Sequence, residues 1–255
     1  MLIKEKIVET LPVYVFETRE EMGKAAAKEA ANQIRTLIAE KGSANVIFAA
    51  APSQSDMLAA LLKEELDWTK VRGFYQDEYI GLDPAHPAGF RNFLRRHLFD
   101  RKPFAGVHLF ESTDGDAEGK MAEYAALLAQ YPPDLMLLGV GENGHLAFND
   151  PHVADFKDPK RVKAVELDLT SRQQQVNDGC FASLDEVPTH AMTLTMSHIL
   201  NVPSVLVVVP TALKANAIDA ALNGPITVDC PASALRRHPK AKLYLDKDSA
   251  SKGVK

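Results

Sequence analysis

A dense group of polar side chains follows the apolar run of residues 135–140, within the segment LMLLGVGENGHLAFNDP. The group consists of Asn143, His145, Asn149 and Asp150. An imidazole has an ordinary pKa of about 6.5, so His145 is suited to moving a proton at neutral pH. The alternative is a histidine that only caps or packs an ordinary loop. Both interpretations place the histidine just beyond a buried strand.

Three glycines, Gly139, Gly141 and Gly144, interrupt the same segment. Glycine has no side chain and accepts unusual backbone dihedral angles, so these positions permit tight turns and the close approach of a substrate. We expect Gly144, which directly precedes the histidine, to contact that substrate. The three glycines have the spacing of a GxGxxG string, but the polar segment that follows does not read as the helix of a dinucleotide fingerprint, so we expect no dinucleotide site.

A second group of charged residues lies in FYQDEYIGLDPAHP, again at the end of an apolar run. Neighbouring side chains of an extended chain point in opposite directions, so Asp77 and Glu78 cannot face the same space. One carboxylate is then available for chemistry while the other stabilises the loop. A pair of solvated loop charges is the alternative.

A third segment, VVVPTALKANAI, leads from a buried run into a helix with Lys214 in its first turn. A cation there opposes the positive end of the helix dipole unless an anion lies nearby. Free backbone N–H groups, the hydroxyl of Thr211 and the ammonium of Lys214 would together bind a phosphate group. A flexible surface lysine is the alternative interpretation.

Short apolar runs alternate with stretches of helical periodicity, which predicts an α/β fold. We expect one domain over residues 1–255, with a single open, mostly parallel, Rossmann-like sheet and helices on both faces. Ligands of such sheets bind beyond the carboxyl ends of the strands.

Individual elements can also be located. Thr18 and Glu21 have the spacing of a capping box, which predicts the start of a helix. The final residues, SASKGVK, are predicted to fray. The predicted strands are Val13–Phe16, Val46–Ala50, Gly73–Gln76, Val107–Phe110, Leu135–Val140, Val162–Leu167, Met192–Thr195, Val205–Val209 and Lys242–Leu245. The predicted later helices are Ser55–Glu65, Gly89–Phe99, Ala117–Gln130, Ser171–Phe181 and Leu213–Leu222.

The composition excludes several classes of protein. A formal net charge of -5 argues against nucleic-acid binding, which needs an excess of clustered lysine and arginine. The two cysteines, Cys180 and Cys230, are far apart and lack the spacing of a zinc site, so we expect no metal. No apolar run approaches the roughly 20 residues of a membrane span. We expect a cytoplasmic protein that binds neither membrane nor nucleic acid.

Two of these segments carry a resemblance to a known family. Residues 141–151 match the string GxxGHxAFNxP, and residues 77–82 match DEYxGL. Both strings resemble those of the glucosamine-6-phosphate deaminase/isomerase family, whose relatives include the 6-phosphogluconolactonases. The lactonases share the Gly-His loop but typically continue without the Phe-Asn-acid-Pro ending. The resemblance extends from the second predicted strand to Asp246.

The resemblance implies a mechanism in which general acid–base groups act without a cofactor. His145 would open the sugar ring, held by Asn143 and Asp150, and Asp77 would move a proton between C1 and C2 of the open chain. Asp150 is one methylene shorter than the glutamate usual in the family. We therefore expect it to reach the histidine through a water molecule or a shifted backbone. Lys214 occupies the place of the family's phosphate-binding lysine.

The predicted phosphate site departs from the family pattern. Many members have a glycine-rich TGGTP loop where this chain reads AAAPSQSDM. Ser53, Gln54 and Ser55 can donate hydrogen bonds to phosphate there, although the two serines could equally be plain helix caps. The family's second phosphate-binding arginine falls further along than Arg172, which is the candidate to replace it.

The predicted substrate is an amino-sugar phosphate, and the predicted reaction is isomerisation with release of ammonia. Two alternatives remain open: hydrolysis of a sugar-phosphate lactone, with His145 activating water, and a sugar-phosphate sensor without catalysis. The sequence predicts a possible homo-oligomer and leaves the epimer of the sugar undefined.

Overall fold

Most of the predicted apolar runs form strands of a doubly wound sheet. A computed structural model describes residues 1–110 and 115–254. In chain order the strands are β1 (Leu2–Val8), β2 (Leu11–Phe16), β3 (Ala44–Phe48), β4 (Val71–Tyr75), β5 (Asp77–Tyr79), β6 (Gly106–Val107), β7 (Leu135–Leu138), β8 (Val162–Glu166), β9 (His190–Leu194), β10 (Ser204–Val209) and β11 (Ala241–Asp246).

Eight of these strands form the main sheet, in the order β1-β2-β11-β10-β7-β3-β4-β6. All neighbours in this sheet are parallel except β1 and β2, which are antiparallel. The central strand β10 is Ser-Val-Leu-Val-Val-Val, and its five apolar residues are buried. Strands buried on both faces are typical of parallel sheets covered by helices. The predicted α/β fold class is therefore confirmed.

The structure differs from the prediction in having a second sheet. Strands β5, β9 and β8 form a three-stranded antiparallel sheet. It contains two of the predicted strands, Val162–Leu167 and Met192–Thr195. It also contains Asp77, which pairs with Thr193. Apolar content locates a strand but not its partner, because pairing depends on contacts far apart in the sequence.

The helices lie between the strands, and α1 is the longest among the described residues. Its N-cap is Thr18, whose hydroxyl accepts a hydrogen bond from the backbone N–H of Glu21, as the capping box predicts. Helix α1 contacts β2, β3, β7, β10 and β11 and so covers much of one sheet face. The helices are α1 (Arg19–Lys41), α2 (Ser55–Leu61), α3 (Phe90–His97), α4 (Ala117–Gln130), α5 (Leu169–Asn177), α6 (Met196–Leu200) and α7 (Ala215–Asn223).

The predicted frayed tail is wrong for residues 249–254. Ser249 is fully buried, and its hydroxyl donates a hydrogen bond of 2.6 Å to the carbonyl of Val209. Gly253 lies so close to α7 that a Cβ would meet the backbone of Asp219 at 2.9 Å. The tail therefore packs against the carboxyl end of β10 and against α7.

Candidate active site

A cleft opens at the carboxyl edge of the main sheet, where β3, β4 and β7 end. It contains about 480 Å³ of empty space, its open mouth included. Ligands of doubly wound sheets bind at this edge. The described lining residues are Ala49, Ala50, Ala51, Ser53, Gln54, Gln76, Asp77, Phe90, Gly139, Val140, Gly141, His145, Ala147, Phe148, Gln174 and Gln175.

Asp77 and His145, which belong to different predicted segments, both line this cleft. Asp77 lies in β5, immediately after β4, and His145 lies in the loop that follows β7. Each is only 7% exposed. The fold therefore brings a carboxyl group and an imidazole to one enclosed space.

The neighbouring carboxylates Asp77 and Glu78 point to different surroundings, as predicted for an extended chain. Glu78 accepts hydrogen bonds from the backbone N–H groups of Tyr79, Phe90 and Arg91, at 3.0–3.1 Å. It fixes the start of α3 against β5. Asp77 is left facing the cleft, and no described cation lies within 4.0 Å of its carboxylate.

The surroundings of Asp77 favour its protonated form. Burial raises the pKa of Asp77 well above its ordinary range, and the negative charge of Glu78 raises it further. A carboxylate with a raised pKa is a stronger base than an exposed aspartate, which suits abstraction of a weakly acidic proton.

His145 is held from behind by two side chains. Its Nδ1 lies 2.9 Å from Oδ1 of Asp150 and 2.8 Å from the hydroxyl of Ser171. The Ser171 hydroxyl donates its one proton to Asp150, so its contact with Nδ1 requires that Nδ1 carry a proton. Nε2 is then the ring nitrogen that can accept a proton from a substrate.

The direct contact between Asp150 and His145 corrects the expectation of a bridging water or a shifted backbone. The side chain of Asp150 is shorter than glutamate, but the residue is fully buried beside the ring. Burial alone would raise the pKa of Asp150, yet hydrogen bonds from His145, Asn143 and Ser171 hold it well below the ordinary value. Because the Asp150 carboxylate stays ionised, it favours the form of His145 that carries its proton on Nδ1.

The hydrogen bonds of Asn143 go to the backbone of His145 and to the side chains of Asp150 and Asp168, rather than to the imidazole ring. Its Oδ1 accepts a hydrogen bond of 3.0 Å from the backbone N–H of His145. Its Nδ2 donates to Asp150 at 2.9 Å and to Asp168 at 2.8 Å. Asn143 therefore fixes the turn that carries the histidine.

Two glycines of this loop are required by close packing. A Cβ at Gly141 would lie 2.2 Å from the His145 ring, so a side chain there would displace the imidazole. Gly144 has a φ of +85°, and a Cβ there would meet the sulfur of Cys230 at 2.8 Å. Gly144 does not line the cleft, so its predicted contact with the substrate has no support in the structure.

The predicted phosphate ligands are only partly brought together. Ser53 and Gln54 line the cleft, whereas Ser55 does not. The amide of Gln54 donates to the carbonyl of Val208 at 3.0 Å and to the Ser53 hydroxyl at 3.2 Å. Lys214, at the end of the 3₁₀ turn Ala212–Lys214, is 4% exposed, and its Nζ has no hydrogen-bond partner in the described part of the chain.

The structure places Arg172 away from the cleft, which corrects its prediction as a phosphate ligand. Its guanidinium donates to the carbonyls of Leu184 at 2.7 Å and Val187 at 3.0 Å. Helix α5 starts at Leu169 rather than at Ser171, and the contacts of Arg172 direct it towards the chain that leads to β9.

Sequence reasoning missed several polar residues of the cleft. Gln174 and Gln175 line it from α5, and Gln76 lines it from the end of β4. Ser171 was missed too, although Asp168 is a favoured N-cap residue and could have located the first turn of α5. Nothing local in the sequence indicates that this turn packs behind His145.

Among the described residues, one group could hold a metal ion: Asp150, His152 and Asp168, whose ligand atoms lie within 4.8 Å of one another. Both carboxylates already accept hydrogen bonds from Asn143, and Asp150 also accepts one from Ser171. The absence of a metal and of a cofactor stays a prediction.

No described helix is both long and apolar enough to span a membrane. The cytoplasmic location and the possible homo-oligomer stay predictions.

A buried carboxyl group and an oriented imidazole that face one cleft are an arrangement suited to general acid–base catalysis. Residues 17–244 match the sequence model of the family described as glucosamine-6-phosphate isomerases/6-phosphogluconolactonase. The chain belongs to this family.

The chain is similar to several glucosamine-6-phosphate deaminases. It is 36% identical to that of Exiguobacterium sibiricum over 189 residues, 74% of this chain and 73% of that protein. It is 32% identical to that of Streptococcus sanguinis over 211 residues, 83% of this chain and 88% of that protein.

Two solved structures share the fold of this chain. A monomeric glucosamine-6-phosphate deaminase matches with a TM-score of 0.86 at 28% identity, covering 94% of this chain and 98% of that chain. The 6-phosphogluconolactonase from Trypanosoma brucei matches with a TM-score of 0.78 at 20% identity, covering 97% and 99%. The second likeness shows the fold alone.

Proposed function

We propose that this protein is a glucosamine-6-phosphate deaminase, which converts glucosamine 6-phosphate and water to fructose 6-phosphate and ammonia. Membership of the family and the similarity to deaminases over most of the chain support the proposal. The observation that carries it is the shared cleft of Asp77 and His145. The two steps of the reaction need two different proton-transfer groups, and the cleft supplies both.

His145 performs the first step, the opening of the pyranose ring. With the proton of the imidazole on Nδ1, Nε2 accepts the proton of the anomeric hydroxyl and returns it to the ring oxygen. The Asp150 carboxylate stabilises the imidazolium that forms in between. The product is the open-chain aldehyde.

Asp77 performs the second step on the open chain. It removes the proton from C2 while the aldehyde oxygen takes up a proton from solvent, which gives an enolamine. It then returns a proton to C1, which gives an imine at C2. Water adds to the imine carbon, and ammonia leaves. The steps are proton transfers, the addition of water and the loss of ammonia, and the raised pKa of Asp77 fits the basicity that removal of the C2 proton needs.

The phosphate group is assigned to the end of the cleft near the start of α2 and α7. Ser53 supplies a neutral hydroxyl there, whereas the Gln54 amide already donates to Val208 and Ser53. Lys214 is not among the described lining residues, but it supplies a buried ammonium without a partner in the described chain. A buried unpaired donor is costly, which favours an anionic partner in the bound state. Ser55, Gly144 and Arg172 have no place in this assignment.

Ammonia release from the 6-phosphates of glucosamine and galactosamine tests the proposal and selects between the epimers. Hydrolysis of 6-phosphogluconolactone is measured in parallel. We expect ammonia and fructose 6-phosphate from the glucosamine substrate. Lactone hydrolysis without ammonia would instead indicate the lactonase reaction, and substrate binding without turnover would indicate a sensor.

A further inference from the structure

The surroundings of Lys214 are unusual for a phosphate ligand. No lysine or arginine is among the described residues that line the cleft, and Arg172 is bound elsewhere. Lys214 is therefore the one cation left in the predicted phosphate set. Burial lowers the pKa of its ammonium, while the carboxylates of Asp178 and Glu142 counteract this effect. Neither carboxylate lies within the 4.0 Å of an ion pair.

Gln174 connects these two acidic residues to the cleft. Its Oε1 accepts a hydrogen bond of 2.9 Å from the backbone N–H of Glu142. Its Nε2 lies 3.5 Å from Oδ2 of Asp178. Gln174 itself is 7% exposed and lines the cleft. Both acidic residues therefore adjoin a residue of the cleft wall, and their charges also act on Lys214, so the three residues form one charged cluster.

The polar groups of this cluster are not satisfied by one another. Nζ of Lys214 and Oε1 of Glu142 are both buried, and neither has a hydrogen-bond partner in the described structure. Buried groups without partners are rare and cost free energy. This cost favours binding of a ligand that gives Nζ of Lys214 or Oε1 of Glu142 a hydrogen-bond partner.

We propose that Glu142 and Asp178 set the affinity of this site for a phosphorylated sugar, by competing with the phosphate group for the ammonium of Lys214. The inference rests on the proposed function, because it takes phosphate as the group that Lys214 binds. One ammonium faces two carboxylates, so the cluster as a whole is negatively charged. A phosphate dianion gains the attraction of the lysine but is repelled by both acids.

The acidic pair also disfavours adventitious anions. Inorganic phosphate lacks the sugar that anchors a substrate to the rest of the cleft, so it cannot offset the repulsion. A phosphorylated amino sugar brings an ammonium group and hydroxyls that interact with Asp77 and the glutamines of the cleft. Specificity then comes from repulsion of the wrong ligand as well as attraction of the right one.

Two variants remove one charge each and keep the shape of the side chain: Asp178→Asn and Glu142→Gln. The matched control is Asp185→Asn, which makes the same change of net charge at an exposed position of the 3₁₀ turn Leu184–Glu186. Two quantities are measured for each protein. They are the dissociation constant of inorganic phosphate, by calorimetry, and KM for glucosamine 6-phosphate.

We expect each cluster variant to lower both quantities by roughly three- to tenfold, and the control to leave both unchanged. No tightening in either cluster variant, or equal tightening in the control, would overturn the inference. A wild-type protein that releases no ammonia contradicts the proposed function instead. The calorimetric arm still tests the competition in that case, because it needs no turnover.

Discussion

The buried position of Asp77 suits proton transfer but lowers the stability of the folded protein. It is buried, its pKa is raised, and the cleft that it faces is lined partly by Phe90 and Phe148. A raised pKa means that the folded state binds the proton more tightly than the unfolded state. The folded protein therefore loses stability as the pH rises from the ordinary aspartate range through the pKa of the buried group.

Replacing Asp77 by asparagine should stabilise the protein while it abolishes turnover. The substitution removes the cost of ionising a buried carboxyl group, and a gain of about 1 kcal/mol corresponds to a rise in Tm of about 2–4 °C for a chain of this length. Glu78→Gln is the control and should lower Tm, because its carboxylate accepts three backbone hydrogen bonds. An Asp77→Asn protein with a lower Tm would show that the aspartate stabilises the fold.

Ser171 is a positioning residue, since it touches His145 and Asp150 but does not line the cleft. We expect Ser171→Ala to lower kcat about tenfold with little change in KM, because the imidazole loses an orienting partner. Ser171→Thr keeps the hydroxyl and should restore most of the rate. ¹⁵N NMR of His145 should show less of the Nδ1-protonated form in the alanine variant. A wild-type rate and an unchanged NMR spectrum in that variant would remove the assignment.

The residues that the sequence could predict are those in continuous motifs. Asp77, His145 and Asp150 each lie in a short string whose residue types suit proton transfer, and the structure gathers all three around one site. Ser171 and Gln174 could not be predicted in the same way. Their contacts depend on how α5 packs against the loop after β7, which no local pattern encodes.

At the scale of elements, Asp168 caps α5 and makes two hydrogen bonds that join the start of this helix to the loop after β7. Asp168 is the N-cap of α5 and accepts a hydrogen bond of 2.6 Å from the backbone N–H of Ser171. Its own backbone N–H donates to Asp150 at 3.1 Å, and its Oδ2 accepts from Asn143 at 2.8 Å. The helix cap and the support of the histidine are therefore one network.

This network should make stability depend on pH through Asp150. The pKa of Asp150 is lowered by folding, so its contribution is present above the unfolded pKa of about 3.9 and is lost as the pH falls below it. We expect the free energy of unfolding of the wild type to exceed that of Asp150→Asn at pH 7. The difference should shrink as the pH falls below about 4. A difference that stays constant from pH 7 to pH 3 would contradict this role.

The ends of helices could be predicted where the sequence contains a capping residue or a clear helical periodicity. Thr18 caps α1, and the predicted Ala117–Gln130 helix matches α4. The start of α5 was misplaced by two residues, which hid the role of Asp168 as its cap. Arg172 failed as a predicted phosphate ligand for another reason, because its guanidinium binds the carbonyls of Leu184 and Val187.

At the scale of the whole molecule, the sequence located most strands but not the sheet to which each belongs. Strands β8 and β9 leave the main sheet and pair with β5, which holds Asp77 beside the carboxyl end of β4. Strand β1 was missed, because its Leu-Ile-Lys-Glu-Lys-Ile-Val sequence is mostly exposed at the sheet edge. The buried tail after β11 was missed as well, since its small residues give no periodic signal.

The central claim is that Asp77 and His145 act in turn on one sugar phosphate, with Asp77 alone moving the C2 proton. Proton NMR of glucosamine 6-phosphate in deuterated water measures that transfer directly, as loss of the C2 proton signal and appearance of deuterium at C1 of the product. We predict both signals with the wild type and neither with Asp77→Asn, although that variant should still speed the interconversion of the anomers through His145. Exchange at C2 by Asp77→Asn at the wild-type rate would contradict the account.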